Sequence, residues 1–469
     1  MIVPEQVQKL SAQTRVHLVG IGGTGLSAIA RVLLERGIPV SGSDRAINPV
    51  TDLLEALGAT IHLGHRAENI EGAALLLVTS AVKNDNPEIV AALEAGLPVM
   101  RRRDFLPLLL GGDTVIGIAG THGKTTTTAM TTHILREAGM TPGYIVGSVM
   151  KNTGTNADGG GGGKSPFVIE ADEYDDMYLG LTPRIAVITG IEWDHPDFFP
   201  TEGDMVRSFA AFIGQIQPDG VLIASADTPY SLALARQHES IKTVLYGRDR
   251  EESDWFIHNL YTTPDGLTCF EAIERATLTA YPFKLKVPGA HNALNALAAT
   301  LAAAAACGVT FESAAKALES FESTGRRFQV MGEVKQMIVV DDYGHHPSAI
   351  RVTLEAARQR YPDHTLWAVW QPHTFSRTRA LMSDYARCFS TADGVAVMDI
   401  YASREQPVPE VSGQIAAAQI AHHHPNAHYT GDIAATITDL KKRVTGKSVV
   451  IVFSAGDAIA VSAGLLADS

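Results

Sequence analysis

Cysteine is scarce in this chain of 469 residues: Cys269, Cys307 and Cys388 stand far apart, and none belongs to a CxxC pair. That spacing argues against a disulfide framework and against a thiolate metal site, and it fits a reducing cytosol. No long basic run offsets the formal net charge of −13. Nucleic acid and membrane surfaces are therefore not expected as partners, and small anionic ligands have to be held by local groups. The stretch from Met1 to Arg15 lacks the positive and apolar blocks of a signal peptide. The most apolar helix candidate, Ala293 to Cys307, is alanine-rich and shorter than a bilayer requires, so it reads as a packed helix of a soluble, cytoplasmic protein. No GxSxG nucleophile elbow occurs, so covalent catalysis by a side chain is not indicated.

What the chain does contain is strand and helix patterning enough for about three domains of ordinary size. The most informative stretch is Thr114-Val-Ile-Gly-Ile-Ala-Gly-Thr-His-Gly-Lys-Thr-Thr-Thr-Thr-Ala129. An apolar β-type run breaks here into a turn of Gly120, Thr121, His122 and Gly123, and then into a helical pattern opened by Lys124, Thr125 and Thr126. Glycines let backbone N–H groups turn inward around a polyphosphate, Lys124 offers a point charge, and the helix presents its positive end. Thr125 is placed to hold a magnesium ion. The common nucleotide loop has a glycine six residues before the lysine, where this chain has Ile118, so a shorter loop is implied. ATP is the expected ligand.

Nearer the amino terminus, Val16 to Ile21 reads as a strand, Gly20-Ile-Gly22-Gly23-Thr24-Gly25 as a glycine turn, and Leu26 to Glu35 as an amphipathic helix. A second strand, Pro39 to Ser43, ends at Asp44, about where a dinucleotide fold places an acid on a ribose. Such turns bind NAD, FAD or UDP, and some bind nothing. Leu75 to Val78 is a further strand, ending at Thr79-Ser80. Arg101-Arg-Arg103 reads as a short loop, either solvated or facing a diphosphate.

After the phosphate turn, the glycine run Gly159 to Gly163 reads as a flexible loop, and Phe167 to Glu170 as a strand entering the acid cluster that ends at Glu173. Ile185 to Thr189 is a buried strand leading to Glu192-Trp-Asp194-His195-Pro-Asp197. Glu170 and His195 suit a magnesium site against the terminal phosphate, although imidazole is an unusual magnesium ligand and acids of this kind also serve as helix caps. Val221 to Ala224, Thr243 to Gly247, Leu267 to Ala272 and Leu278 to Val287 read as further strands. Asn292 and Asn295 share one face of the next helix, where they suit a purine, a phosphate or, for the first, a cap.

A boundary falls after Ser323-Thr-Gly-Arg326-Arg327-Phe328. Beyond it, strands at Met337 to Val340, Thr365 to Trp370, Val395 to Asp399 and Ser448 to Phe453 alternate with helices, which implies a parallel sheet covered on both faces. Asp341-Asp342-Tyr343-Gly344-His345-His346 and Gln371-Pro-His373-Thr-Phe-Ser-Arg377 fall at strand ends, where such sheets bind ligands. This mixture of imidazole and guanidinium suits a small molecule carrying both carboxylate and amine. His422 to His424 read as surface histidines within a helix.

Taken together, Gly120-Thr-His-Gly-Lys-Thr-Thr-Thr127, Glu170-Ala-Asp-Glu173, Asp194-His195, His291-Asn-Ala-Leu-Asn295, Arg326-Arg-Phe328 and Asp341-Asp-Tyr-Gly-His-His-Pro347 resemble the Mur ligases, in that order and over nearly the whole chain. The resemblance implies an α/β chain of three domains: a Rossmann-like UDP-binding domain over 1–111, a central P-loop ATPase domain over 112–324 and a C-terminal Rossmann-like amino-acid-binding domain over 325–469. It implies a cytoplasmic ligase of peptidoglycan synthesis that uses ATP and Mg2+, as a monomer or weak homodimer. Val19-Gly-Ile-Gly-Gly-Thr-Gly-Leu-Ser27 and Gln371 to Arg379 resemble the member that joins L-alanine to UDP-N-acetylmuramate.

By the same resemblance, Lys124 holds the phosphates, and Thr125, Glu170 and His195 organise the metal. Asn292, Asn295, Arg327 and Asp342 serve the nucleotide. Tyr343, His345, His373 and Arg377 serve the amino acid and closure. Gly20, Gly22, Gly23, Thr24, Gly25, Ser27, Asp44, His65 and Ser80 receive the UDP sugar. Glu173-Tyr-Asp-Asp176 and Glu192-Trp-Asp-His-Pro-Asp197 are also similar to the sister ligase that adds a recycled tripeptide to the same sugar, which leaves two amine donors in view. Thr374 stands where some alanine-adding members carry arginine, and no lysine follows His195 where later Mur ligases carry a carbamylated one. Two readings of other classes stand beside these: an NAD-dependent dehydrogenase built on the first glycine turn, and a regulator that hydrolyses ATP without joining anything.

Overall fold

Short β-branched runs alternating with helices build α/β sheets throughout the computed structural model, which describes residues 9–162 and 165–467. Met1 to Gln8 of the amino-terminal stretch and Gly163 of the glycine run lie outside the described residues. The chain divides into two units. The first comprises residues 1–191, 206–255 and 298–317, and the second residues 192–205, 256–297 and 318–469.

The first unit opens with a parallel sheet of β1 (Val16–Val19), β2 (Val40–Asp44), β3 (Thr60–Leu63), β4 (Leu75–Val78) and β5 (Val99–Arg101), in the order β3-β2-β1-β4-β5. Val16, Leu18, Leu75, Leu76 and Leu77 are wholly buried, as expected for central strands covered on both faces. The strand order reverses at β1, so the crevice beyond its carboxyl end is the natural ligand site.

The middle strands of this unit are β6 (Thr114–Ala119), β7 (Gly143–Met150), β8 (Thr155–Asp158), β9 (Pro166–Glu170), β10 (Ile185–Ile188), β11 (Val221–Ser225) and β12 (Lys242–Gly247), in the order β12-β11-β10-β6-β9-β7-β8. All pair in parallel except the β7–β8 hairpin. The helix Lys124–Glu137 that leaves β6 is rich in threonine, a poor helix former, yet it is buried. The hydroxyls of Thr128, Thr131 and Thr132 each donate to the carbonyl four residues back at 2.8 Å, which satisfies them without breaking the helix.

Arg36 joins the two sheets of this unit. It donates to the carbonyls of Leu109 at 2.6 Å and Gly159 at 3.0 Å, pairs with Asp113 at 2.8 Å and lies 5.1 Å over the Phe167 ring. Gly159 N–H donates to Glu35 and Gly161 N–H to the Thr141 carbonyl, so this part of the glycine run is tied down rather than loose.

The second unit contains β13 (Trp255–Thr262) from Phe256 onward, β14 (Thr268–Glu274) and β15 (Ala280–Leu285), the last two antiparallel. Its main sheet comprises β16 (Gln329–Val334), β17 (Met337–Asp342), β18 (Thr365–Trp370), β19 (Gly394–Met398), β20 (Ala427–Gly431) and β21 (Ser448–Phe453), in the order β16-β17-β21-β18-β19-β20. Only β16 is antiparallel to its neighbour. One face packs Trp370, Tyr385 and Phe389, and the other packs Val339, Val452 and Leu440.

Strands Leu75–Val78, Thr365–Trp370 and Ser448–Phe453 match the expected ranges residue for residue. Arg101 to Arg103 differ from expectation: they end β5 and open the helix Arg102–Leu110, because Phe105, Leu106, Leu109 and Leu110 form a buried helical stripe just after them. The helix Gly413–Ala421 stops before the histidine triplet, and His424 is buried with its Nε2 donating to the Ala392 carbonyl at 2.9 Å, so it is a packed residue and not a surface one. Among the described residues no helix is long and apolar enough to cross a membrane.

Candidate active site

In the first unit, β6 ends at Ala119 and the chain turns through Gly120 at φ +131° and Gly123 at φ +81°, conformations that favour glycine. Gly123 caps the helix, and Lys124 is its first residue. Lys124 Nζ donates to the Gly120 carbonyl at 2.7 Å and to the Glu173 carboxylate at 2.8 and 2.7 Å. Burial alone would lower the lysine pKa, but Glu173, Asp172 and Glu170 outweigh it and raise it, so the ammonium is held charged. The side chain is 13 % exposed and its partner 2 %, so the pair is largely shielded from water.

Parallel pairing of Ile118 with Glu170 brings the end of β9 beside the turn. Thr125 Oγ1 donates to Glu170 Oε1 at 3.0 Å, while Glu170 Oε2 accepts from Gly147 N–H at 2.6 Å. A hydroxyl beside a carboxylate is an all-oxygen donor set that fits a hard divalent cation. Asp175 and Asp176, just past Glu173, both take positive φ, at 60° and 49°. Thr121 N–H donates to the Gly190 carbonyl at 2.9 Å, and the Thr189 hydroxyl donates to the carbonyls of Ala119, at 3.1 Å, and of His122. These bonds fix the turn before any ligand arrives.

The second glycine turn of this unit comes after β1. Gly20 has φ +86°, and a Cβ there would lie 2.7 Å from Thr79 Cγ2. Asp44, at the end of β2, accepts from Gly22 N–H at 2.9 Å, and the helix begins at Thr24 with Gly25 and Ser27 in its first turn. A Cβ on Gly25 would meet the Arg102 guanidinium. His65 stands two residues past β3, and Ser80 two residues past β4. All of these lie at the carboxyl edge of one sheet.

In the second unit a different cluster forms around Asp194. Arg377 Nε donates to Asp194 Oδ1 at 2.7 Å, with both side chains 5 % exposed. Its Nη1 lies 2.9 Å from His373 Nδ1 and its Nη2 lies 3.2 Å from His195 Nδ1, so both ring nitrogens accept. His345 Nε2 stands 3.8 Å from Asp194 Oδ2. Burial would raise the Asp194 pKa, but Arg377 and the facing imidazoles hold it well below the usual carboxylate range. Burial and Arg377 together push His345 down to about 3 and His373 down to about 4, so both rings are neutral near pH 7.

Backbone strain delivers these groups. His195 takes φ +54° and Thr374 φ +62°, and a β-branched residue rarely adopts the latter. Thr374 N–H donates to the Tyr401 carbonyl at 2.9 Å, and the N–H groups of Phe375 and Ser376 donate to Glu405 at 2.6 and 2.9 Å, anchoring the short helix that carries Arg377. Nearby, Asp342 accepts from the N–H groups of Phe328 at 2.8 Å and Gly344 at 2.7 Å, and the Arg327 guanidinium lies 5.2 Å over the Tyr343 ring. Asn292 donates to the Pro288 carbonyl at 2.7 Å and accepts from Asn295 at 3.2 Å.

Thus the structure joins Lys124, Thr125 and Glu170 in one unit, and His195, His345, His373 and Arg377 in the other. Sequence reasoning did not single out Glu173 or Asp194 as site residues. Glu173 lies three residues past Glu170 on the strand exit, and Asp194 adjoins His195, so both stood inside motifs whose other members were chosen.

Three family models match the chain in order: Mur ligase family, catalytic domain over residues 15–113, Mur ligase middle domain over 118–303, and Mur ligase, glutamate ligase domain over 326–456. A UDP-N-acetylmuramate--L-alanine ligase of Renibacterium salmoninarum is 41% identical over 457 residues, covering 96% of this chain and 95% of that protein. The chain belongs to the Mur ligase family. Another Mur ligase, the UDP-N-acetylmuramate--L-alanine ligase of Chloroflexus aggregans, is 39% identical over 466 residues, 96% of this chain and 97% of the other. Among solved Mur ligase structures, UDP-N-acetylmuramate-alanine ligase from Thermotoga maritima matches with TM-score 0.77 and 26% identity over 97% of this chain and 98% of that one. A murein peptide ligase from Psychrobacter arcticus matches with TM-score 0.70 and 26% identity over the same shares.

Proposed function

We propose that this Mur ligase joins L-alanine to the carboxylate of UDP-N-acetylmuramate, converting ATP to ADP and phosphate, in the cytoplasm and as a monomer or weak homodimer. The observation that carries this reading is Lys124, held charged between the Gly120 carbonyl and Glu173 at the start of a helix, with Thr125 on Glu170 beside it. The relatives at 41% and 39% identity bear the name of the alanine ligase, and of the two solved structures at 26% identity the alanine ligase matches with TM-score 0.77 against 0.70 for the murein peptide ligase, which favours alanine over the recycled tripeptide. We place the domain limits at 111/112 and 324/325.

In this mechanism a muramyl carboxylate oxygen attacks the terminal phosphorus of ATP and ADP leaves. The alanine ammonium loses one proton to solvent and its amine attacks the acyl carbon; the tetrahedral intermediate then gives its second proton to the departing phosphate, which carries that oxygen away. The turn from Gly120 to Gly123, its Thr121 N–H held by the Gly190 carbonyl, bends around the polyphosphate towards the helix amino terminus, and Lys124 turns from Glu173 to the phosphates as charge develops. Thr125 and Glu170, with His195 as a third candidate, would hold Mg2+, which neutralises phosphate charge when bound. Arg327, Asn292, Asn295 and Asp342 serve the nucleotide, directly or by shaping the backbone around it.

Asp194 and His345 orient the alanine ammonium, because each presents an acceptor at neutral pH. With a pKa of about 3, His345 is too weak a base to retain the amine proton and acts by alignment. Tyr343, His373 and Arg377 complete the amino-acid site. The test is ATP-dependent phosphate release. We expect turnover only when UDP-N-acetylmuramate and L-alanine are both present, with the tripeptide inactive in place of alanine. Equal release without the sugar, or with the tripeptide alone, would refute the assignment.

A further inference from the structure

Behind the carboxyl edge of the first sheet lies a buried polar cluster that the proposed chemistry does not use. Glu88, in the first turn of the helix Pro87–Glu94, is wholly buried. Its Oε2 accepts from the Ser43 hydroxyl at 2.6 Å and lies 3.1 Å from His65 Nδ1, and its Oε1 accepts from the Asn69 amide at 2.5 Å. His17 Nε2 stands 3.7 Å from Oε1. Burial pushes this carboxyl up, but His17, Ser43 and Asn69 outweigh that push and bring it down to about 2. At neutral pH it can only accept hydrogen bonds.

A neutral imidazole carries one N–H. Facing an ionised carboxylate, that proton belongs on His65 Nδ1, which leaves Nε2 as an acceptor. Nδ1 is also 2.9 Å from Ser43 Oγ, and every protein partner of the ring among the described residues lies on this nitrogen. Asn69 donates in addition to the Gly64 carbonyl at 3.0 Å, fixing the backbone just before His65. Glu88 is sealed while the His65 side chain keeps 13 % exposure, so the imidazole leads from the buried carboxylate to the surface.

The sheet order supplies the ligand's direction. The proposed diphosphate turn lies just past β1, a doubly wound sheet of this kind sets the ribose at the end of β2, where Asp44 stands, and His65 lies past β3, one strand further out on the same edge. Resting on the proposed binding of UDP at this edge, we propose that Glu88 is a positioning residue: it fixes His65 in the Nδ1–H form, so that Nε2 accepts the imide N–H of uracil and rejects cytosine. Cytosine presents a lone pair at the same ring position, and two acceptors face to face repel.

The test uses the full chain labelled with ¹⁵N-histidine at about pH 8.5, above the ordinary imidazole range. We expect His65 in the Nδ1–H form, and UDP bound about 100-fold more tightly than CDP. Glu88→Gln presents N–H as well as oxygen, so it releases the tautomer, and the preference should fall below about tenfold. A purely structural role would weaken both nucleotides alike. An Nε2–H ring in the wild type, or unchanged preference in folded Glu88→Gln, would overturn the inference, and the wild-type tautomer decides alone if the variant does not fold. If the wild type binds neither nucleotide, the UDP reading fails and the inference with it; UDP binding with an Nε2–H ring removes only the inference.

Discussion

The two glycine turns of the first unit share one local plan and differ in the charge each keeps beside it. After β1, Gly20 and Gly22 lead to a helix that begins with Thr24, Asp44 accepts from Gly22 N–H, and the Arg102 guanidinium stands beside Gly25. After β6, Gly120 and Gly123 lead to Lys124, a buried ammonium bound to Glu173 with Thr125 and Glu170 beside it. A glycine turn by itself supplies only backbone N–H groups and a helix end, which suffice to hold a diphosphate. Phosphoryl transfer also needs charge that can move onto the reacting phosphate, and the second turn carries it in Lys124, the first residue of its own helix.

The largest effect expected from breaking this contrast is at Lys124. Lys124→Ala should lower kcat by about 10³-fold, the scale of losing one preorganised charge donor. It should also destabilise the fold by about 3–5 kcal/mol, because the buried Glu173 carboxylate loses the ammonium that offsets its charge. Adding Glu173→Gln should restore the melting temperature without restoring turnover, and an unchanged melting temperature in the single variant would contradict the buried pair. Gly20→Ala should act on the other turn differently. Its φ of +86° and the 2.7 Å approach to Thr79 cost an alanine about 1–2 kcal/mol, so UDP-sugar affinity should weaken about tenfold while kcat stays within about twofold. A matching fall in kcat would erase the distinction between the turns.

Smaller effects sharpen it. Thr125→Val removes a hydroxyl from Glu170 and should raise the magnesium needed for half-maximal turnover about tenfold, with little change in melting temperature. The pH dependence of stability should come from the other unit. His345 and His373 sit at about 3 and about 4 when folded against 6.5 ordinarily, so the unfolded chain binds more protons between those values. Stability is therefore full above pH 6.5 and falls as pH drops from about 6.5 towards about 4, with each group contributing up to about 1.4 kcal/mol per pH unit. Denaturant titrations across that window check the slope, and a flat profile would contradict it.

Much of this was legible because central parallel strands are continuous apolar runs and phosphate turns need glycine at fixed places. Leu75–Val78 and Ser448–Phe453 show the first, and Gly120 to Lys124 shows the second. Other elements were less legible. In β13 the apolar run is broken at His258-Asn259, with Asn259 at φ +48°, and β20, at the edge of its sheet, is a short Ala-His-Tyr-Thr-Gly segment whose pairing depends on neighbours distant in sequence. The site shows the same division. Lys124, Thr125 and Glu170 carry their chemistry in their local spacing, whereas the grip of Arg377 on Asp194 spans 183 positions and exists only once the sheet is folded. Burial was hidden too: a lysine in a glycine turn looks exposed until its carboxylate partner is placed.

The most direct test of the account is oxygen transfer. UDP-N-acetylmuramate labelled with ¹⁸O in its lactyl carboxylate should, in the presence of ATP and L-alanine, pass one label into each phosphate released and retain one in the new amide. Unlabelled phosphate with amide formed would contradict the acyl-phosphate route, and unlabelled phosphate with no amide would contradict ligation itself.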